Sequence, residues 1–296
     1  MTTRAILIYN PASGRGRPKQ RTLPDLLTRL QALGIEADPA PTREPKHATE
    51  LARDALQRKV PLVIAWGGDG TVNEVARAML GSETPLGILP GGTVNVFARE
   101  TGIPFNLEKA CRVLVEGEPR VIPVGMAGGR PFLLMAGIGI DAEVVHRLDV
   151  NAGLKKRLGT FAFWLLGFRL LASYAFAPLK VLVDGKEVVG TGVVAGNVRC
   201  YGSGYVITPE ARLEEPMLDV VVFQGRSGFA YLRYLFGVAG GFHVKFKDVV
   251  HFHAERLEVV ATDGQLCQLD GESAGKVPVQ LEIHPNALTV LLPLRP

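Results

Sequence analysis

Trp66-Gly67-Gly68-Asp69-Gly70-Thr71-Val72-Asn73-Glu74 sits between two stretches of opposite character. Before it runs Pro61-Leu62-Val63-Ile64-Ala65, an apolar run with the length and composition of a buried strand. After it comes Val75-Ala76-Arg77-Ala78-Met79-Leu80, a helical pattern stopped by Gly81. Three glycines around one aspartate at a strand-to-helix turn widen the backbone's choice of φ and let a bulky anion approach. Backbone N–H groups there, with a helix N-terminus just beyond, suit a phosphate. Like charges repel, so Asp69 is not meant for the phosphate itself. A metal ion, a ribose hydroxyl or a proton in transfer is its natural partner. A tight βα turn with a capping Asp would account for Gly-Gly-Asp-Gly alone, but not for the Thr71-Val72-Asn73-Glu74 continuation.

Two further stretches repeat the pattern. Leu86-Gly87-Ile88-Leu89 is a short apolar strand followed by Pro90-Gly91-Gly92-Thr93-Val94-Asn95. Ala5-Ile6-Leu7-Ile8-Tyr9 leads into Asn10-Pro11-Ala12-Ser13-Gly14-Arg15-Gly16. Small polar residues in these loops can bond phosphate or ribose oxygens. In open α/β sheets ligands sit at the carboxyl ends of the strands, so three such loops at one edge predict a nucleotide site. Arg15 could reach a phosphate from the first of them, and a simple βα loop accounts for that stretch equally well.

The bulk properties set the frame. With 296 residues, 47% hydrophobic and 21% charged, the chain has the composition of a folded protein of two compact domains or one large one. Cys111, Cys200 and Cys267 are odd in number, far apart and without a CxxC, so they read as buried thiols in a reducing compartment. The first residues carry too short an apolar run for a secretory signal, and a cytoplasmic protein is expected. Net charge is +4, but residues 1–60 hold eleven Lys and Arg against six Asp and Glu, and Lys155-Lys156-Arg157 forms a basic knot. That placement fits a nucleoside triphosphate or an anionic membrane surface, and a plain solvated basic face accounts for the knot equally well. Nucleic acid is not expected, because basic and aromatic residues do not interleave and no helix-turn-helix or zinc pattern is present. The twenty apolar residues 158–177 have the length of a membrane span, but Arg169 lies within them and Gly, Thr and Ser interrupt them. They read as one or two helices, mostly buried, and able to form an apolar cleft or rest on a bilayer.

Along the chain, strand and helix candidates alternate to about residue 120, which predicts a parallel sheet flanked by helices. Beyond it the texture turns β-rich, with strands expected at 120–124, 131–135, 179–183, 188–194, 218–223 and 256–260 and a helix near 231–238. Asp184-Gly185 marks a hairpin turn. His251-Phe252-His253 places two imidazoles on one face of a possible strand, a spacing a metal could use, but no third ligand is evident nearby in sequence, so the pair reads as structural. GxSxG, HExxH and GxxxxGK[ST] are all missing, which argues against serine hydrolase, zincin and P-loop chemistry.

Taken together, several motifs resemble the diacylglycerol kinase catalytic-domain family, in particular the bacterial lipid kinases related to sphingosine and ceramide kinases. They are Asn10-Pro11 with Gly14, Gly67 through Glu74, Gly87 through Asn95 with Ala98-Arg99, Gly137-Ile138-Gly139-Ile140-Asp141, and Asp270-Gly271-Glu272. The resemblance covers essentially the whole chain. It implies an N-terminal α/β nucleotide-binding domain of the NAD kinase/diacylglycerol kinase type over residues 1–120. Residues 286–296 would return to it, and a C-terminal β-sandwich-like domain would span 121–285, with the active site in the cleft between the two. It implies an ATP-dependent lipid kinase that transfers the γ-phosphate to a hydroxyl of a diacylglycerol-like or sphingoid lipid. The enzyme would be a cytoplasmic protein in peripheral contact with the bilayer surface, with a homodimer left open.

Carried over by motif, the nucleotide contacts fall to Asn10, Thr42, Gly67, Gly68, Asp69, Gly70, Thr71, Val72, Asn73, Thr93 and Asn95. Glu272 matches the family's general base. Asp69 is its rival for that role and the favoured organiser of Mg2+. A second, structural Mg2+ would fall to the carbonyls of Arg212 and Met217 with the Glu215 side chain. The chain departs from the family twice: Val96 follows Asn95 where many relatives carry Asp, and Glu215-Pro216 replaces an Asp-Gly pair. Two alternatives are an NAD kinase-like enzyme, which shares the Gly-Gly-Asp-Gly turn, and a non-catalytic nucleotide or lipid sensor that kept the fold.

Overall fold

A computed structural model of the chain describes residues 2–14, 19–150, 160–202, 204–261 and 264–294. Arg15 and the Lys155–Arg157 knot lie outside the described residues. The chain divides into two compact units, Met1–Val124 with Pro285–Pro296, and Gly125–His284.

The first unit is a parallel sheet with helices. Its strands β1 (Thr3–Tyr9), β2 (Ile35–Pro41), β3 (Leu62–Gly67) and β4 (Leu86–Pro90) line up in the order β2-β1-β3-β4. Between and after them run α1 (Lys19–Ala32), α2 (His47–Gln57), α3 (Asp69–Met79), α4 (Val96–Glu100) and α5 (Leu107–Glu116). All six residues of β3 are buried, as a central parallel strand covered on both faces requires. Helix α2 buries Ala48, Ala52 and Ala55, one stripe of small side chains at helical spacing. Helix α5 starts at Asn106, whose side chain accepts the Lys109 N–H.

Strand β5 (Glu118–Ala127) carries the chain out of this unit, and the last strand, β18 (Val279–Leu292), brings it back. The end of β18 runs parallel to β4, with Val290 opposite Leu86. The Gly81 N–H on the Ala287 carbonyl, at 2.8 Å, ties the returning segment to the loop after α3.

The second unit is antiparallel. The remaining strands in chain order are β6 (Arg130–Phe132), β7 (Met135–Ile138), β8 (Leu179–Val183), β9 (Lys186–Gly190), β10 (Gly192–Gly196), β11 (Cys200–Tyr201), β12 (Tyr205–Val206), β13 (Leu218–Phe223), β14 (Val249–Ala254), β15 (Arg256–Val260), β16 (Leu266–Leu269) and β17 (Glu272–Lys276). One six-stranded sheet has the order β14-β13-β10-β7-β16-β17. A second layer pairs the start of β18 with β15, then β8 and β9. The two share one core, with Ala136, Ile138, Val193, Ala195, Val220 and Val222 from the first and Leu179, Val181, Leu257, Val259 and Leu281 from the second. This is the sandwich-like packing that alternating apolar strands demand.

Outside it lie α6 (Ile140–Val150), α7 (Thr160–Leu171) and α8 (Gly228–Ala239). Helices α6 and α7 share a small cluster of Val144, Leu148 and Leu170. No helix among the described residues is long and apolar enough to cross a membrane.

The Asp184-Gly185 turn has φ of +48° and +73° at its two residues, the geometry of a tight two-residue hairpin. The expected strand 188–194 is broken. Buried Thr191 sends its N–H to the Phe223 carbonyl at 2.7 Å and its hydroxyl to the Gly225 carbonyl at 2.6 Å, so β9 and β10 part into different sheets. The three cysteines are free and buried.

Candidate active site

In the first unit the predicted loops meet at the carboxyl ends of the strands. From Gly67 the chain passes through Gly68 straight into α3, whose N-terminus has no side-chain cap. Its first-turn amides are left to solvent or to an anionic ligand. The loop after β4 lies against this turn. The Gly91 N–H donates to the Gly67 carbonyl at 2.7 Å, and a Cβ on Gly92 would stand 2.5 Å from the Gly68 Cα. The loop after β1 joins them, because a Cβ on Gly14 would stand 2.5 Å from the Gly91 carbonyl oxygen. Thr42, just past β2, donates its N–H to the Tyr9 carbonyl at 2.8 Å.

The side chains divide by role. Asn73 is buried, and its amide Nδ2 has no hydrogen-bond partner. Thr71 is buried beside it in the first turn of α3, while Thr93 is exposed on the β4 loop. Gly70 has open space where a side chain would be.

Three predicted residues face their own protein instead. Val72 is buried in the core, so only its backbone is left for a ligand. Asn95, at φ +51°, accepts the Gly92 N–H at 3.0 Å and donates back to the Gly92 carbonyl at 3.1 Å, so its amide is spent on locking the turn. Asn10 accepts the Ala12 N–H at 2.9 Å and shapes the first loop. Glu74, the last residue of the opening motif, accepts the N–H groups of Lys46 and Ala48 and so caps α2.

Asp69 is a strut between two loops. Its Oδ1 accepts the Phe97 N–H at 3.1 Å, at the start of α4. Burial pushes its carboxyl above the ordinary Asp range, and the backbone donors of Asn95, Val96 and Phe97 oppose that rise. A carboxylate committed to backbone amides fits the cap of α4 better than a direct Mg2+ ligand, which needs near-ideal octahedral oxygen geometry.

In the second unit Glu272 opens β17, immediately after the turn residues Asp270 and Gly271 at φ +52° and +81°. Asp270 anchors that hairpin. Its Oδ2 accepts the Leu133 N–H at 2.8 Å, and its Oδ1 accepts those of Leu134 and Met135 at 2.8 and 3.0 Å. The Gly271 N–H donates to Gln268 Oε1 at 2.8 Å, and Gln268 Nε2 donates to Asp141 Oδ2 at 2.8 Å. The Tyr201 hydroxyl donates to the other oxygen of Asp141. Burial pushes the Asp141 carboxyl up, against those two hydrogen bonds. A buried network thus leads from Asp141 to the turn that carries Glu272.

The residues expected to hold a structural Mg2+ do not fit one as they stand. The Glu215 carboxylate pairs with the Arg212 guanidinium at 2.7 Å, and the Arg212 carbonyl accepts the Glu215 N–H at 2.9 Å. A divalent cation there would have to displace a cation already bound.

Comparison with known proteins closes the case for the family. Residues 4–127 match the diacylglycerol kinase catalytic domain, and residues 135–292 match the YegS C-terminal NAD kinase beta sandwich-like domain. The chain is 31% identical to a diacylglycerol kinase of Bacillus subtilis strain 168 over 280 residues, covering 93% of this chain and 91% of that protein. The chain belongs to the diacylglycerol kinase family. A Staphylococcus aureus (strain MRSA252) diacylglycerol kinase is 32% identical over 295 residues, covering 96% of this chain and 91% of that one. The crystal structure of a diacylglycerol kinase from Bacillus anthracis strain Sterne superposes with a TM-score of 0.76 at 28% identity, covering 98% and 96% of the two chains.

As a member of this family the chain is a lipid kinase. The α/β unit is the part that matches the family's catalytic domain, and its three loops interlock through their backbones. In the sequence Asp141 and Asp270 are members of motifs with no role of their own. The signal for Asp270 was present, because an Asp-Gly pair between two apolar runs marks a turn with positive φ. Its three N–H partners, more than 130 positions away, carried none.

Proposed function

We propose that the protein transfers the γ-phosphate of ATP to a hydroxyl of a diacylglycerol-like lipid at a bilayer surface. The observation that carries the donor assignment is the uncapped start of α3, wedged between the β1 and β4 loops, with the Asn73 amide buried and unpartnered beside it. Phosphoryl transfer asks for placement of the phosphates and stabilisation of their charge, and backbone amides in a fixed nest supply both. Thr93 and Thr42 stand at the same edge as hydroxyl donors. Glu272 is the proton acceptor for the lipid hydroxyl, held by the hairpin that Asp270 anchors.

Peripheral membrane contact is part of the same reading. Phe229 and Phe236 on α8, seven residues apart and 80% and 66% exposed, give one face of that helix an aromatic edge. Phe242, just beyond it, is 43% exposed, and Arg226, Lys245 and Lys247 are exposed close by in sequence. Aromatic side chains flanked by lysines suit an anionic bilayer interface.

The test is label transfer from γ-labelled ATP, with Mg2+ in the buffer, to a panel of defined lipids, with NAD as a parallel acceptor. A labelled lipid with the native protein and none with Glu272→Gln supports the proposal. Label in NADP alone would replace it. Binding to neutral vesicles as strong as to anionic ones would remove the charge-assisted docking.

A further inference from the structure

His251 and His253 lie two residues apart on β14, and alternate side chains of a strand share a face. The opposite face of β14 is the core side, filled by Val250, Phe252 and Ala254. β14 is also an edge strand, so this imidazole pair stands at the open margin of the six-stranded sheet. Folding supplies the third group that the sequence did not reveal. Glu210, forty-one residues before His251, places a carboxylate oxygen 3.6 Å from His253 Nε2. One ligand atom from each of Glu210, His251 and His253 lies within 4.8 Å of the others, the one such group of three among the described residues.

A fourth residue organises the three. Asp219 on β13 is fully buried and sits opposite His253 in the strand register. Its Oδ1 bonds His251 Nε2 at 2.5 Å, and its Oδ2 accepts the Glu210 N–H at 2.7 Å. One buried carboxylate therefore orients an imidazole and fixes the backbone that carries the acid. A carboxylate behind a ligating histidine is the outer support that metal sites use.

We propose that Glu210, His251 and His253 bind a borderline transition-metal ion of the Zn2+ class, supported by Asp219. Two imidazoles and one carboxylate suit Zn2+ rather than Mg2+ or Ca2+, which prefer oxygen alone. Ligand bonds of about 2.1 Å in a tetrahedral site put donor atoms about 3.4 Å apart. From a spread of up to 4.8 Å the group must close by about 1.4 Å at its widest. Glu210 and His253 are exposed at the tip, so side-chain rotation suffices without moving the sheet. Water takes the remaining position. The ion would tie β14 to the segment before the Arg212–Met217 turn and protect an otherwise open edge. The site is independent of the kinase reading, since none of its residues serves that role.

The test uses the tag-free full chain, washed with chelator and titrated with Co2+ followed by Zn2+ competition, alongside melting curves. One equivalent should bind with a tetrahedral Co2+ absorption band, and Zn2+ should raise the melting temperature. His253→Ala and Glu210→Gln should each weaken binding at least ~10-fold, since loss of even an outer-shell partner costs 10–100-fold. Both side chains are exposed, so neither variant threatens folding, and Glu215→Gln should leave the affinity unchanged. Equal affinity in wild type and His253→Ala would overturn the proposal. So would a melting temperature indifferent to Zn2+.

Discussion

Replacing Asp270 tests how the second unit holds Glu272 in place. Its carboxylate accepts three backbone N–H groups, from Leu133, Leu134 and Met135, residues that are 3%, 6% and 3% exposed. Asp270→Ala leaves all three without their acceptor, and water cannot enter freely to replace it. A buried donor left unmade costs about 1–3 kcal/mol, and three neighbouring ones add less than independently. Alanine must also hold φ +52°, at about 1 kcal/mol. The expected loss is about 4 kcal/mol.

Asp270→Asn differs in a way the geometry dictates. Its Oδ1 can keep the bonds to Leu134 and Met135, while its Nδ2 faces the Leu133 N–H, donor against donor. Asparagine also tolerates the left-handed conformation. One orphaned donor and a lost charge set its cost at about 2 kcal/mol. At about 2–4 °C per kcal/mol for a unit of this size, the melting temperature should fall by about 8–16 °C for Ala and about 4–8 °C for Asn. Thermal unfolding followed by circular dichroism, with turnover measured at a temperature where both variants are folded, reads the effect. Equal losses for Ala and Asn, or a loss under about 0.5 kcal/mol for either, would refute the assignment of Asp270 as the hairpin's anchor.

Other substitutions separate the remaining roles. Glu272→Gln should cost at least ~10²-fold in kcat with little change in KM for ATP, as removal of a positioned proton acceptor does, and near-native turnover would end its candidacy. Asp69→Asn should act chiefly through nucleotide affinity, because its oxygens brace the start of α4; an intact nucleotide Kd would contradict the strut. Gly70→Ala should fold normally, with nothing within 4 Å of the added Cβ, and should weaken nucleotide binding measured by titration; unchanged binding would move the phosphates elsewhere. Asp141→Asn probes pH. The Asp141 carboxyl is raised above 3.8 by burial, so the native state holds its proton more tightly than the unfolded state. Its stabilising effect is full below pH 3.8 and is lost as pH rises through the folded value. Asparagine can accept from Gln268 and donate to the Tyr201 oxygen, so the variant should melt at or above the native temperature at neutral pH and lose that slope. Parallel melting-temperature profiles of the two proteins across pH would refute this.

The α/β half was legible because its signals are local. Strand, glycine-rich loop and helix follow one another within the eighteen residues Leu62–Met79, and each loop announces itself alone. The second half depends on partners brought from afar. Thr191 looks like the middle of a valine-rich strand until Phe223 and Gly225, more than thirty residues on, accept its N–H and hydroxyl and bend the chain between sheets. Glu210 gave no sign of meeting His253, because the pairing of β13 with β14 sets that approach.

Even the legible loops carried an ambiguity of chemistry. An amide that binds a ligand and one that locks a turn look alike in sequence, and Asn95 locks the turn. Glycines divide the same way. Those at 68 and 92 are small because their backbones touch, and the one at 14 because it meets Gly91, whereas Gly70 alone of these four has open space beside it. Three of the four glycines therefore answer to the packing of loop on loop. Only at Gly70 does the absent side chain leave room that a phosphate could use.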